Sequence, residues 1–123
     1  MKKILIVEDH ADIRRLIRMT LEFEPCEIHE APDALAGWDM ARDLNPDLVL
    51  VDVMMPGELD GLDMCRAMRA NPQLHSVPVI VLSARGASAD REAGMQAGAT
   101  AYLVKPFSPM QLLTLLGETA TAH

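Results

Sequence analysis

Long apolar runs, cysteines in number, aromatic rings and clusters of basic side chains are all scarce in this chain of 123 residues. Half of its residues are hydrophobic, yet no run approaches the roughly 20 apolar residues that a membrane span needs, so the sequence reads as a soluble globular protein. The opening MKKILIVED has a basic pair, but its apolar stretch is too short for a signal peptide, and the expected location is the cytoplasm. Cys26 and Cys65 stand apart with no CxxC, which excludes a disulfide framework or zinc site and leaves both as small buried or half-buried hydrophobes. Eleven Lys and Arg against 18 Asp and Glu give a formal charge of -7, and with one Trp, one Tyr and two Phe there is little to grip a phosphate backbone. Direct binding of nucleic acid is not expected, and neither is a membrane partner. The length suits one domain over 1–123, and no linker, repeat or low-complexity tract divides it.

What is present is a set of short apolar runs: Ile4 to Val7, a weaker Ile28 to Ala31, Leu48 to Val51, Val77 to Leu82 broken by Pro78, and Tyr102 to Val104. Non-alternating runs rich in Val and Ile are the pattern of strands covered on both faces. Between them the period changes. Ile13, Leu16, Ile17 and Leu21 form one helical stripe, Leu35, Trp38 and Ala41 a second, and Leu59, Leu62, Cys65 and Met68 a third. Ser88 to Ala97 is small and weakly periodic, with Gly94 inside, and predicts the least securely built helix. Ser108 as N-cap, Pro109 at the first helical position and Leu112, Leu113 and Leu116 as the buried face mark the last, and the tail GETATAH is too short to lead into a second domain. The pattern predicts a (βα)5 α/β domain, a parallel sheet between two helical layers.

Ligands of such sheets collect beyond the carboxyl ends of the strands. There the runs deliver Glu8 and Asp9, Asp52, Ser83 and Ala84, and Lys105 and Pro106. A single acid at a strand end can merely cap the next helix, but three carboxylates brought together repel unless a cation joins them or one takes up a proton. A hard divalent ion with oxygen ligands, most simply Mg2+, answers that conflict, and Lys105 would balance a further anion. Metal, carboxylate, hydroxyl and ammonium together suit a phosphoryl group. Asp52 is then either a nucleophile that accepts phosphate or one more metal ligand.

The segments ILIVEDHADIR, LVLVDVMMPGELDG, VIVLSA and AYLVKPF resemble, in order and spacing, the signature segments of response-regulator receiver domains (CheY-like), the phosphoacceptor modules of two-component signalling. The resemblance covers essentially the whole chain. It implies a flavodoxin-like three-layer sandwich with strand order 2-1-3-4-5, and a switch rather than an enzyme acting on outside substrates. It implies Asp52 as phosphoacceptor, Asp9 as direct ligand of Mg2+ or another divalent ion such as Mn2+, Glu8 acting through water, and the Met54 backbone carbonyl as a further ligand. Lys105 would hold a phosphoryl oxygen, Ser83 would turn in to bond it, Ala84 would leave it space, Tyr102 would change rotamer, and Lys105-Pro106 would be cis. The implied partners are a sensor histidine kinase or histidine phosphotransfer protein, and a downstream protein met through the face of helix 4, strand 5 and helix 5. A phosphorylation-dependent homodimer is left open, and no output domain is expected within these 123 residues.

Two departures and several alternatives accompany this reading. The family loop commonly runs Met-Pro, two residues, Asp-Gly, whereas Met55-Pro56 is followed by Gly57, Glu58 and Leu59, one residue more. Arg85 lies two positions beyond Ser83, where family side chains help set the phosphate's lifetime. A phosphohydrolase of haloacid dehalogenase type would want aspartate where Met54 stands, and a flavodoxin-like cofactor binder would not carry Glu8-Asp9-His10-Ala11-Asp12 where a phosphate loop belongs. A receiver-like interaction module independent of phosphorylation is the remaining alternative. His10 is expected at the rim of the pocket rather than on a hard ion, and His29 and His75 at the surface. Trp38 is read as the anchor of the second helix, and Met64 and Met68 as core or its flank.

Overall fold

A computed structural model describes residues 2–22, 25–55, 57 and 59–121, the last three by backbone alone. Pro56, the extra loop residue Glu58 and His123 lie outside the described residues. The elements in chain order are β1 (Lys2–Val7), α1 (Ala11–Leu21), β2 (Cys26–Ala31), α2 (Ala34–Leu44), β3 (Leu48–Asp52), α3 (Gly61–Ala70), β4 (Val79–Ser83), α4 (Ser88–Gln96), β5 (Ala101–Val104) and α5 (Pro109–Thr121). The strands form one parallel sheet in the order β2-β1-β3-β4-β5, which is the predicted flavodoxin-like (βα)5 architecture.

Side chains of the central strands alternate between two cores. Leu5, Val7, Val49, Val51, Val79 and Val81 face α2, α3 and α4, while Ile4, Ile6, Leu48, Leu50, Ile80 and Leu82 face α1 and α5. With both faces covered, all five residues of β3 are buried, Asp52 among them. β2 is an edge strand and only its last residue is fully buried, which is why its apolar run was weak. β4 begins after Pro78, whose carbonyl accepts from Val49 N at 3.0 Å.

The helical faces differ from the leucine-weighted stripes. On α1 the buried residues are Ile17, Thr20 and Leu21, while Leu16 is 40% exposed; Thr20 can be buried because its hydroxyl donates to the Leu16 carbonyl at 2.8 Å. On α2, Leu35 is 60% exposed and Ala34, Gly37 and Ala41 turn inward. The cause is proximity: a Cβ on Gly37 would stand 2.7 Å from a Val7 methyl, so only small residues fit that face. Trp38 is half-buried beneath the Arg42 guanidinium, 5.3 Å from the ring centre. Met64, Cys65 and Met68 are buried on α3, as their spacing predicts.

At α4 the side chain of Ala87 offers no cap, and the only buried residue is Gly94, in keeping with the expected weakness. At α5, Gln111 N donates to Ser108 Oγ (3.1 Å) and Ser108 N donates to Gln111 Oε1 (2.7 Å), a reciprocal box. Leu112 is buried and Leu115 and Leu116 pack behind it, Leu115 taking the place predicted for Leu113. The expected short tail is largely helix: α5 continues through Thr121. No helix among the described residues is long and apolar enough to cross a membrane.

Candidate functional site

Register brings the site together. Val7 pairs with Val51 and Asp52 with Leu82, while Ser83 pairs with Val104. One step past those pairs the sheet delivers Glu8 beside Asp52 and Lys105 beside Ser83. The ladders hold these exits in place: Glu8 N donates to the Ala31 carbonyl (3.1 Å), Val53 N to Leu82 (2.9 Å) and Lys105 N to Ser83 (2.8 Å). The strand order reverses at β1, between β2 and β3, so Glu8, Asp9 and Asp52 line the crevice where open α/β sheets take ligands.

Past Asp52 the chain turns sharply into α3. Gly61 is required there, since a Cβ on it would stand 2.2 Å from the Asp52 carbonyl oxygen. Asp60 and Asp63 cap α3 reciprocally, so the Asp-Gly pair of the loop ends in a helix start. Met54 lies on this loop with its side chain 53% exposed.

Glu8, Asp9, His10 and Asp52 each offer one donor atom, all within 4.8 Å of one another. Glu8 and Asp52 are almost fully buried. The Lys105 ammonium hydrogen-bonds Glu8 Oε1 and lies 3.3 Å from Asp52 Oδ1, reaching from the edge strand across β4. Burial pushes the Asp52 carboxyl up to about 6, with the Glu8 charge adding to it and Lys105 opposing. Burial raises Glu8, but the Lys105 hydrogen bond and charge, together with the Asp9 side chain and the His10 backbone N–H, outweigh it and leave Glu8 below the ordinary glutamate value. One cation is thus shared by two buried acids.

Asp9 Oδ1 is buried and makes no hydrogen bond; the His10 ring nitrogen lies 3.2 Å away, outside hydrogen-bonding geometry. A buried acceptor left so, beside two further carboxylates, is what a divalent cation with oxygen ligands satisfies. The donor set therefore fits Mg2+.

The remaining predicted residues surround this crevice. Ser83 is buried at the end of β4, where its Oγ accepts from Arg85 N at 3.0 Å, and Ala84 beside it is exposed. The Tyr102 hydroxyl donates to the Arg85 carbonyl at 2.7 Å, and the Arg91 guanidinium stands 5.5 Å from its ring centre. Lys105-Pro106 is cis, with Pro106 exposed.

Two neighbours were not assigned to the site from sequence. Arg14 Nη1 donates to the Glu8 carbonyl at 2.7 Å and its Nε lies 3.3 Å from Glu30, tying the acidic pair to β2. His10 is at the rim as expected, yet its Nδ1 faces both Glu8 and Asp9. His75 is exposed, whereas His29 is half-buried and bonded to Glu27 at 3.0 Å.

The family profile described as the response regulator receiver domain matches residues 4–117. The chain belongs to that family. This receiver is 44% identical over 111 residues to the transcriptional regulatory protein ResD of Bacillus subtilis, a match covering 90% of this chain and 45% of the relative. It is 40% identical to the transcriptional regulatory protein SrrA of Staphylococcus aureus, covering 90% of this chain and 44% of that one. The chain therefore spans less than half the length of these relatives. Among solved structures it superposes on the Vibrio cholerae chemotaxis protein CheY4 with a TM-score of 0.90 at 31% identity, covering 97% and 98% of the two chains. It also superposes on the signal receiver domain of a signal transduction histidine kinase from Syntrophus aciditrophicus, with a TM-score of 0.89 at 26% identity over 99% and 92%. It is a signalling module of two-component systems rather than a catalytic enzyme, and receivers interact with histidine kinases.

Proposed function

We propose that this receiver is a phosphoacceptor switch in the cytoplasm, with Asp52 the residue that takes the phosphoryl group from a histidine kinase or histidine phosphotransfer protein. The observation that carries the reading is the position of Asp52: buried, at the tip of the central strand, within reach of two further acids and 3.3 Å from the Lys105 ammonium. An oxygen of Asp52 bonds to phosphorus as the bond from phosphorus to the donor's imidazole nitrogen breaks, and the imidazole leaves with the bonding pair. Asp9, Asp52 and the Met54 carbonyl are the proposed ligands of Mg2+ or Mn2+, with Glu8 acting through water. The ion supplies neutralising charge where the phosphoryl oxygens gather.

The chain's own groups do the rest. Lys105 leaves its pairing with Glu8 and Asp52 to hold a phosphoryl oxygen, and the exposed Ala84 leaves that oxygen space. Ser83 turns to bond the phosphoryl group, giving up the hydrogen bond from Arg85 N. Arg85 is also the acceptor of the Tyr102 hydroxyl, so a change at Ser83 reaches Tyr102 through one residue of loop and bears on α4, the weakly anchored helix. The downstream partner reads the α4, β5 and α5 face, and a phosphorylation-dependent homodimer would use a surface altered in the same way.

A phosphoryl mimic with Mg2+ tests this. Amide shifts are expected at 83–104 and along α5 in wild type and not in Asp52→Asn; the same shifts in the mutant would contradict the assignment.

A further inference from the structure

His10 is the one member of the four-donor cluster that the phosphoacceptor reading leaves without a task. Its place at the start of α1 suggests helix capping, but its side chain makes no cap hydrogen bond. The backbone there has the ordinary extended conformation of an N-cap (φ -84°, ψ 115°), yet the ring stands over the crevice rather than over the first turn of the helix. Nδ1 lies 3.2 Å from Asp9 Oδ1 and shares a 3.3 Å hydrogen bond with Glu8 Oε2, while the side chain as a whole remains 63% exposed.

Those separations have a meaning in coordination chemistry. Metal-ligand bonds of about 2.1 Å meeting at right angles place neighbouring donor atoms about 3.0 Å apart. His10 Nδ1 and the unpartnered Asp9 Oδ1 thus stand close to one edge of a single coordination shell. Resting on the reading of this crevice as the receiver's divalent site, we propose that His10 Nδ1 is a nitrogen donor to that site. It gives the site a stronger preference for first-row transition ions such as Mn2+, Co2+ or Zn2+ over Mg2+ than the carboxylates alone would confer.

Mg2+ keeps to oxygen donors and retains waters, so it gains little from an imidazole, whereas the affinity of a mixed nitrogen and oxygen site rises from Mn2+ through Co2+. Coordination needs the Nδ1 lone pair: a neutral ring protonated on Nδ1 passes that proton through solvent to Nε2, and a doubly protonated ring releases its Nδ1 proton to solvent and keeps the one on Nε2. The consequence for signalling is that the ion occupying the site, and hence the readiness of Asp52 to accept phosphate, follows the supply of transition metal as well as that of Mg2+.

The test is calorimetric titration of the metal-free protein with Mg2+ and with Co2+, on wild type, His10→Ala and Asp9→Asn. It is paired with residue-resolved 15N spectra of the histidine rings on adding Zn2+. His10→Ala is expected to weaken Co2+ at least about ten-fold more than it weakens Mg2+, and Zn2+ is expected to shift His10 Nδ1. If Mg2+ binds in an Asp9-dependent way while Co2+ is indifferent to His10 and Nδ1 does not shift, this inference alone fails, and His10 only hydrogen-bonds Glu8. If neither ion depends on Asp9, the divalent site itself is wrong and the inference falls with it. Loss of Co2+ binding in His10→Ala without any Mg2+ binding in wild type would support the nitrogen donor and remove Mg2+ from the account.

Discussion

Lys105 Nζ lies 3.3 Å from Asp52 Oδ1 while hydrogen-bonded to Glu8, so one ammonium from the edge strand holds two buried carboxylates from the central strands. Its side chain is only 14% exposed, which keeps screening by water modest. Removing it leaves two buried acids facing each other.

Lys105→Ala is therefore expected to lower stability in metal-free buffer at neutral pH by on the order of 3 kcal/mol, with much of the loss recovered on adding Mg2+. Denaturant unfolding with and without Mg2+ measures both. The same variant is expected to uncouple phosphate from α4: amide shifts near Asp52 persist with a phosphoryl mimic while those of α4 are lost. A variant as stable as wild type without metal would show that the ammonium does not support the acidic pair.

The raised Asp52 carboxyl sets a pH dependence. Its value in the folded chain, about 6, lies above the ordinary 3.8, so the folded state binds this proton more tightly than the unfolded state does. The stability it contributes is complete below about pH 4 and is lost as pH rises through 6. In metal-free protein the stability of wild type relative to Asp52→Asn should fall across that window, and a carboxyl 13C titration of Asp52 should have its midpoint near 6. Mg2+ should move the midpoint down. A midpoint near 4 without metal would contradict the packing and charge argument.

Tyr102 ties β5 to the loop before α4 through a 2.7 Å hydrogen bond to the Arg85 carbonyl. Tyr102→Phe removes that bond alone, at a cost of about 1 kcal/mol. Hydrogen exchange is expected to quicken at 85–91 and to stay unchanged in β1 and β3. Uniform quickening across the sheet would mean that the hydroxyl has no particular hold on this end of α4.

The fold was legible because in a parallel sheet each buried strand is an unbroken apolar run, and the residue ending the run is the residue delivered to the crevice. Glu8, Asp9, Asp52, Ser83 and Lys105 could all be placed that way. Helix faces were less legible. Leu16 and Leu35 drew the stripes outward, whereas the close approach of α2 to β1 selects Ala34, Gly37 and Ala41, whose small side chains give little periodic signal. The rim position of His10 follows from its place just past a strand end, but the direction of Nδ1 is set by the ring's rotamer against Glu8 and Asp9, which sequence does not carry. Arg14 had no sequence signal at all, since its bond to the Glu8 carbonyl crosses from helix to strand end.

The central claim is that Asp52 accepts a phosphoryl group in a Mg2+-dependent reaction. Intact-protein mass after incubation with acetyl phosphate, with and without Mg2+, on wild type and Asp52→Asn, tests it most directly. The account predicts a single phosphoryl adduct on wild type that requires Mg2+ and is missing from the mutant. An adduct that persists in Asp52→Asn, or none on wild type under either condition, would contradict it, and the latter result would point to an interaction module independent of phosphorylation.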